Sequence, residues 1–269
     1  MHRLQNFIFT LILLAFFSAV VEAKTETGFL NRKATVGSTT YGYQVYVPAG
    51  WNAKQKWPVV LFLHGAGERG SDGIIQTEVG MGTAIRRYSD RAKCVVVFPQ
   101  CLKNRWWSEP EMQAQALKAL ELSVKEFNGD NERLYLSGIS MGGYGTWAIA
   151  SANPGKFAAL APVCGGVRVP QRIAEQLKLE ATQGEDPYTP VAQKVGKTPV
   201  WIFHGGADSV VPVAESRKMN EALKATGGNV KYSEYEGVNH NSWDKAFAEP
   251  EFFNWLLSQR LPGKGKMNP

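Results

Sequence analysis

Short, mostly apolar runs recur along this chain, separated by longer stretches with helical character. The runs cover residues 59–63, 95–98, 134–137, 159–163 and 200–203, and residues 230–235 are predicted as a further strand. Continuous apolar runs are typical of strands buried on both faces of a parallel sheet, because strands with one face in water alternate instead. With helices between the strands, the pattern predicts an α/β fold with a mostly parallel central sheet and helices on both faces.

Helices are predicted in four places. They cover residues 108–127, 141–152, 213–225 and 251–259. The first is expected to begin with a capping box, in which Ser108 caps the helix and Glu111 reaches back, while Pro110 is tolerated in the first turn. Residues 39–48 alternate in polarity and predict an edge strand or a hairpin. Residues 165–198 are longer than a plain crossover and are interpreted as a small lid or an extra helix pair over the site.

The N-terminal residues have the pattern of a secretory signal peptide. A positive charge precedes the mostly apolar residues 7–21, and small residues lead to a cleavage point after Ala23. An uncleaved membrane anchor is the alternative, but a spanning helix needs about 20 apolar residues. We therefore expect a signal peptide over residues 1–23, one catalytic domain over residues 24–261 and a flexible tail over residues 262–269. The protein is expected to be secreted or periplasmic, with no membrane segment after cleavage.

Charge and cysteine content argue against several function classes. The formal net charge is +6 with scattered basic residues, so no nucleic-acid partner is expected. Such a charge is compatible with an anionic polysaccharide partner, although a solvated surface without that role is the simpler interpretation. Cys94, Cys101 and Cys164 include no CxxC pair and no cluster with histidine, so neither a metal nor another cofactor is predicted. If a disulfide forms, Cys101–Cys164 is the geometrically easier pair.

The segment GISMG, residues 138–142, directly follows a predicted strand and opens a predicted helix. A serine at a tight strand-to-helix turn projects its hydroxyl from the edge of the sheet, and glycines on either side keep the turn free of collisions. This placement favours a nucleophile elbow over an ordinary glycine-rich turn. Ser140 is therefore the predicted nucleophile.

A nucleophilic serine needs a base to accept its proton and an acid to orient that base. In hydrolases built on such an elbow, the chain order is serine, acid, histidine. Of the histidines after Ser140, His204 ends a predicted strand and is interpreted as structural, whereas His240 lies in a polar loop after the last strand and is the predicted base. Asp208 follows the preceding strand and is preferred as the acid over Asp186, which lies in a predicted turn of the insertion.

The tetrahedral intermediate of acyl transfer needs hydrogen-bond donors for its oxyanion. The backbone N–H of Met141, directly after the serine, is one predicted donor. The other is expected from the glycine-rich loop after the first buried strand, with the N–H of Ala66 preferred and that of Gly65 as the alternative. In the same loop, Glu68 and Arg69 are interpreted as either a bracing ion pair or a merely exposed one.

These motifs together resemble a known family. The similar segments are LHGAGERG at 63–70, PQC at 99–101, GISMGGYGTW at 138–147, CGG at 164–166 and the surroundings of Asp208 and His240. They resemble the secreted α/β-hydrolase group of esterases and predicted peptidases, which is similar to feruloyl and acetyl-xylan esterases and to polyhydroxybutyrate depolymerases. The resemblance, over about residues 35–258, implies the α/β-hydrolase fold and a triad but little about substrate, because these relatives differ in their loops. Dienelactone hydrolases are similar in fold but use a cysteine where this chain has Ser140.

Three aromatic residues are candidates for substrate binding. Trp107 follows a predicted strand, at the sheet edge where ligands bind in open α/β folds. Tyr144 lies one turn beyond Ser140, and Trp243 lies three residues beyond His240. Sugars and phenolic acyl groups stack well on such rings. The alternative is that these rings only pack the walls of the site.

The sequence is compatible with three functions. The preferred one is a serine carboxylic-ester hydrolase that acts outside the cytoplasm, on an ester substrate such as the feruloyl or acetyl esters of a polysaccharide. A serine peptidase similar to prolyl oligopeptidases is the alternative, and it is less favoured because residues 24–50 cannot build the propeller domain of those enzymes. A non-catalytic binding module is the least favoured, since the predicted triad is complete.

Overall fold

An eight-stranded sheet forms the centre of the fold in the computed structural model, which describes residues 26–171, 175 and 186–262. The strands are β1 (Gly28–Val36), β2 (Thr39–Val47), β3 (Trp57–Leu63), β4 (Val95–Pro99), β5 (Gly129–Ile139), β6 (Ala159–Val163), β7 (Val200–Gly205) and β8 (Val230–Tyr235). Their order across the sheet is β1-β2-β4-β3-β5-β6-β7-β8. The β1–β2 and β2–β4 pairings are antiparallel, and all the others are parallel. This arrangement confirms the predicted fold class.

The burial of the strands explains which of them the sequence reveals. Every residue of β3, β4, β6 and β7 is buried, which is the condition that produces continuous apolar runs. The strand predicted from the alternation at 39–48 is β2, and it pairs along its whole length with β1 in a hairpin. The sequence does not predict β1, because most of its residues are polar or only partly buried.

Helices cover both faces of the sheet. They are α1 (Met81–Arg87), α2 (Pro110–Glu126), α3 (Met141–Ala152), α4 (Tyr188–Val195), α5 (Ala214–Ala225), α6 (Trp243–Ala248) and α7 (Phe252–Ser258). Apolar side chains of α2, α3, α4 and α5 belong to one buried cluster, and those of α1, α6 and α7 belong to a second. The helices predicted at 141–152, 213–225 and 251–259 are confirmed to within one residue at each end, while α1 and α6 were not predicted.

The start of α2 differs from the predicted capping box. The helix begins at Pro110, and among the described residues it has no side-chain cap and the Ser108 hydroxyl has no hydrogen-bond partner. Glu111 does not reach back, because its carboxylate pairs with Arg105 at 2.7 Å and accepts a hydrogen bond from Tyr41. The predicted capping box is therefore wrong, whereas the tolerance of Pro110 in the first turn is confirmed.

Parts of three predicted segments lie outside the described residues. They are the signal peptide 1–23, most of the tail 262–269, and residues 172–174 and 176–185 of the insertion. The described part of the insertion contributes the helix α4, so the predicted lid or helix pair stays a prediction. Within the described ranges, no helix is both long and apolar enough to cross a membrane.

The three cysteines are buried free thiols. The pair Cys101–Cys164, considered above as a disulfide, is therefore unbonded. Burial raises the pKa of each thiol to about 12, so all three remain protonated at neutral pH. A neutral, buried thiol behaves as a small apolar side chain rather than as a nucleophile.

Candidate active site

Ser140 lies on a strained turn between β5 and α3. Its backbone has φ 52° and ψ −116°, a conformation that residues with a Cβ rarely adopt. A Cβ on Gly138 would come within 2.2 Å of the Gly142 carbonyl oxygen, and one on Gly142 would come within 1.9 Å of the Leu63 carbonyl oxygen. Both glycines are therefore required for the close approach that lets the serine hydroxyl project from the sheet edge.

The structure brings together the three residues predicted as the triad, although 100 positions separate Ser140 from His240. Ser140 Oγ lies 2.9 Å from His240 Nε2, and His240 Nδ1 lies 2.7 Å from Asp208 Oδ2. Asp208 follows β7 and His240 follows β8, so parallel strands deliver both loops to the edge at which β5 ends. The side chain of His240 is 18% exposed, whereas that of Asp208 is fully buried.

The Asp208 carboxylate is held as an anion by its surroundings. Its Oδ1 accepts hydrogen bonds from the backbone N–H groups of Val210 at 2.8 Å and Val211 at 2.9 Å. Burial raises the pKa of Asp208, but hydrogen bonding from His204, His240 and these two N–H groups outweighs it, and the pKa lies well below its usual range. The carboxylate therefore stays charged throughout the range in which a histidine titrates.

The alternative acid, Asp186, lies at the start of α4. It is exposed, and its Oδ1 accepts hydrogen bonds from the backbone N–H groups of Tyr188 at 2.9 Å and Thr189 at 3.2 Å. These contacts satisfy the first turn of a helix, which is an ordinary structural role for an aspartate. The geometry thus agrees with the preference for Asp208.

The loop after β3 lies directly beside the serine. A Cβ on Gly65 would be 3.7 Å from Ser140 Cβ and 3.0 Å from Glu68 Oε2. The N–H of Gly65 faces the Glu68 carboxylate and opposes the rise in the Glu68 pKa that burial causes. The N–H groups of Ala66 and Met141 each begin a helical turn, and among the described residues neither donates a backbone–backbone hydrogen bond outside the helices and strands. Ala66 and Met141 therefore remain the better pair of oxyanion donors.

The predicted bracing ion pair between Glu68 and Arg69 is wrong. The Arg69 guanidinium donates instead to two carbonyl oxygens, that of Ala66 at 2.9 Å and that of Arg105 at 3.4 Å. These bonds tie the loop to the segment that precedes α2. Arg69 thus braces the oxyanion loop through its backbone rather than through a neighbouring charge.

Two of the three predicted substrate-binding aromatic residues are buried in the core. Trp107 has no exposed surface, its Nε1–H donates to the His64 carbonyl oxygen at 3.0 Å, and its Cβ would be 2.5 Å from a Cβ on Gly145. Tyr144 is 4% exposed and packs edge-on against Trp106. The predicted contact of Trp107 with substrate is therefore wrong, because α3 packs against Trp107 closely enough to enclose its ring, whereas the role of Tyr144 stays a prediction.

Replacing Trp107 with alanine should lower stability rather than alter substrate preference. Loss of a fully buried tryptophan costs about 3–5 kcal/mol, which corresponds to a fall of the order of 10 °C in melting temperature for a domain of this size. Trp107→Phe, which keeps a ring but loses the hydrogen bond to His64, should give a smaller fall. Thermal unfolding together with kcat/KM on an aryl ester and an acetyl ester tests this. A selective loss on the aryl ester at unchanged melting temperature would restore the substrate role.

Trp243 remains a candidate for substrate contact. It begins α6, is partly exposed, and its ring centroid lies 5.5 Å from that of His240 with the ring planes at 85°. The edge-on contact places an apolar surface next to the proposed base. Of the three aromatic residues named from the sequence, Trp243 alone combines exposure with contact to the site.

Cys164 lies beside Asp208 and His240. Its sulfur, a carboxylate oxygen of Asp208 and a ring nitrogen of His240 lie within 4.8 Å of one another. Metals bind the thiolate, however, and burial raises the pKa of Cys164 to about 12. Asp208 and His240 are also hydrogen-bonded to each other. We therefore assign no metal site to this group.

Sequence reasoning missed one contact of the site, that of His204 with Asp208. His204 is fully buried at the end of β7, and its Nε2 lies 3.2 Å from Asp208 Oδ2. The sequence signal was the spacing, since His204 precedes Asp208 by four residues. The sequence analysis interprets His204 only as a structural residue at the end of the strand.

Comparison with known proteins places the site in a family context. The sequence model of the prolyl oligopeptidase family matches residues 107–257. An uncharacterized secreted protein of Arthroderma benhamiae is 28% identical over 69% of this chain and 21% of its own length. The bifunctional acetylxylan esterase/xylanase XynS20E of Neocallimastix patriciarum is 32% identical over 48% of this chain and 18% of its own length.

A solved structure described as a thermostable esterase has the same fold. It aligns with a TM-score of 0.72 and 32% sequence identity, covering 86% of this chain and 63% of that one. The chain thus spans less than two thirds of each of these relatives. The match supports the resemblance to α/β-hydrolase esterases that the motifs indicated.

Proposed function

The chain belongs to the prolyl oligopeptidase family of serine hydrolases, and from that premise we propose that it is a carboxylic-ester hydrolase with Ser140, His240 and Asp208 as its catalytic triad. The observation that carries the proposal is the unbroken contact from Ser140 Oγ through the His240 ring to Asp208, at 2.9 and 2.7 Å. A serine on a strained elbow with a base and a buried acid in line has the requirements for nucleophilic catalysis.

In the proposed mechanism, His240 Nε2 accepts the Ser140 hydroxyl proton as Oγ attacks the carbonyl carbon of the ester. The backbone N–H groups of Met141 and Ala66 donate to the oxyanion that forms. His240 then gives its proton to the departing alcohol, leaving an acyl group on Ser140. Water, activated by the same histidine, releases the acid and restores the serine. Asp208 stays ionised and stabilises the imidazolium in both steps.

An ester rather than a peptide bond is the proposed target. The thermostable esterase is 32% identical over most of this chain, and XynS20E is named as an acetylxylan esterase. By this analogy, the proposed substrates are feruloyl or acetyl esters of a polysaccharide, with Trp243 as the proposed surface for the acyl or sugar group. A serine peptidase is the second candidate, favoured by the name of the matching family. Export is proposed from the N-terminal pattern and from the relative described as secreted.

Activity measurements on matched substrates test this function. The full chain should hydrolyse p-nitrophenyl acetate and ethyl ferulate at least about 100-fold faster, in kcat/KM, than aminoacyl- and prolyl-p-nitroanilides, because ester carbonyls are the more reactive electrophiles and the proposed site is built for them. Acetylated xylan separates an acetyl from a feruloyl preference. Assays of supernatant and periplasmic fractions of the producing cells test export. Comparable or faster anilide hydrolysis would favour the peptidase, and no turnover of either class would favour a binding module.

A further inference from the structure

We propose that His204 is a positioning residue, which holds the Asp208 carboxylate in the orientation that His240 needs. The proposal rests on the triad assignment made above. It extends the contacts of that triad by two buried residues, to a series of five side chains. In order of contact these are Ser140, His240, Asp208, His204 and Ser216.

The His204 ring is fixed at both of its nitrogens. Nδ1 lies 2.7 Å from the hydroxyl of Ser216, and Nε2 lies 3.0 Å from the carbonyl oxygen of Val211 and 3.2 Å from Asp208 Oδ2. His204 is 0% exposed and Ser216, on α5, is 3% exposed. Water therefore has no access to replace these contacts.

The neighbours of the ring determine its tautomer. Val211 O and Asp208 Oδ2 are both acceptors, so Nε2 must carry a proton. In the neutral ring, Nδ1 then accepts the hydrogen of the Ser216 hydroxyl. The proton on Nε2 is hydrogen-bonded to Val211 O, and Nε2 also lies 3.2 Å from the carboxylate oxygen that receives the Nδ1–H of His240. His204 and His240 approach Asp208 Oδ2 from two sides.

This arrangement explains how the acid is oriented. The N–H groups of Val210 and Val211 hold Asp208 Oδ1, and His204 and His240 hold Oδ2. Without His204, the oxygen that faces the base would lose the one polar hydrogen near it, apart from that of the base, that the described residues supply. The carboxylate would then be freer to rotate and more basic, because a buried anion with fewer donors is less stable.

The backbone next to His204 packs closely against the loop that carries His240. A Cβ on Gly205, the next residue after His204, would lie 2.3 Å from the carbonyl oxygens of both Val238 and Asn239. The loop that carries His240 is thus packed directly on the end of β7. A displacement of the His204 ring would therefore be transmitted to both Asp208 and the His240 loop.

Three titratable groups around His204 and Asp208 keep a constant charge between about pH 5 and 9, namely Cys164, Tyr144 and Glu234. Burial raises the pKa of Cys164 to about 12 and raises that of Tyr144 above its ordinary value, so both stay neutral near Asp208. The hydrogen bond from Arg217 lowers the pKa of Glu234, which pairs with His204 across β7 and β8, to about 2. A change in the acid limb of the pH profile on altering His204 would thus report the Asp208–His240 pair.

Two amide substitutions at His204 distinguish a role in orienting Asp208 from a role in filling space. The amide nitrogen of glutamine occupies about the place of Nε2, whereas that of asparagine occupies the place of Nδ1. His204→Asn should lower kcat about 10- to 100-fold, the scale seen when groups that orient catalytic ligands are removed, with KM changed less than about twofold. His204→Gln should stay within about threefold of the wild-type kcat. The readouts are steady-state kinetics on p-nitrophenyl acetate and melting temperature.

The pH profile of kcat/KM supplies a second readout. Loss of a donor to the Asp208 anion favours the protonated form of the Asp208–His240 pair, so the acid limb should move to higher pH by about half a unit to one unit in His204→Asn and not in His204→Gln. A folded His204→Asn enzyme with wild-type kcat and acid limb would overturn the proposal. So would equal losses in both variants that follow their melting temperatures without any pH shift.

Two further measurements keep the test independent of folding and of the substrate. Ser216→Ala removes only the contact to Nδ1, which His204→Gln also loses, and should lower kcat about two- to threefold without a shift of the acid limb. If His204→Asn fails to fold, an unchanged Ser216→Ala enzyme would reject the proposal. The rate of fluorophosphonate labelling of Ser140 should fall in parallel with kcat. Because labelling needs no ester specificity, it tests His204 even if the esterase assignment fails.

Discussion

Replacing Ser140 with alanine should lower kcat about 10⁴-fold or more, while the melting temperature changes little. The Ser140 hydroxyl forms one hydrogen bond, to His240, so its removal leaves the rest of the site in contact. The backbone at φ 52° is already strained for any residue with a Cβ, and alanine adds no new strain there. The comparison is kcat and kcat/KM on p-nitrophenyl acetate for both proteins, with unfolding curves to show that the variant is folded.

Labelling identifies the nucleophile directly. A fluorophosphonate should modify Ser140 in the wild-type chain and nothing in Ser140→Ala. Ser137→Ala is the matched control, since Ser137 lies on β5, three residues before Ser140, but donates its hydroxyl hydrogen to the Ala161 carbonyl oxygen at 2.7 Å. That variant should keep both labelling and turnover. Labelling at another serine, or activity surviving in Ser140→Ala, would show that the nucleophile is elsewhere, and an unlabelled wild type would favour the non-catalytic module.

Complete burial makes a strand plain in the sequence. The strands β3, β4, β6 and β7 are buried along their whole length, and each is apparent as an apolar run. The strand β8 is predicted with its correct bounds even though it is only partly buried. The strand β1 and the short helices α1 and α6 are missed, because their few buried residues produce no pattern long enough to distinguish them from loops.

Topology is the reason that the candidate site follows from the sequence. In a parallel sheet, the segments after β5, β7 and β8 must emerge at one edge, so Ser140, Asp208 and His240 are brought together by strand order alone. The direction in which a side chain points from that edge does not follow in the same way. Trp107 emerges at the same edge, yet its ring turns into the core because Gly145 leaves space for it.

His204 is the opposite case to Trp107, because the sequence interpretation leaves it out of the site although it contacts Asp208. It was interpreted as structural because it ends a buried strand, and it is indeed fully buried. Its contact with Asp208 depends on the turn over residues 208–211, in which Asp208 accepts two backbone N–H groups and folds back on the strand end. That turn is a local hydrogen-bond arrangement, and the periodicity of apolar residues does not predict it.

Replacing Asp208 with asparagine should lower kcat by about 10⁴-fold, the cost observed in other triads for this change. Asparagine keeps the size of the side chain but presents either an N–H group or a neutral oxygen to His240 Nδ1. With the N–H group in that place, the histidine proton moves to Nε2, which then cannot accept the proton of Ser140. The pKa of Asp208 lies well below its usual range, so the wild-type enzyme keeps this carboxylate charged at neutral and mildly acidic pH.

The control for this prediction is Asp186→Asn, because Asp186 is the other acid considered from the sequence. It is exposed and caps α4 through the N–H groups of Tyr188 and Thr189, which an asparagine oxygen also accepts. Its kcat should stay within about twofold of wild type, since no charge at the site changes. A large loss in Asp186→Asn with a small one in Asp208→Asn would place the acid in the insertion. Equally large losses of kcat in both variants, accompanied by lowered melting temperatures, would show that the substitutions had affected folding rather than the orientation of the base. Measurements of KM and unfolding curves for each variant separate these cases.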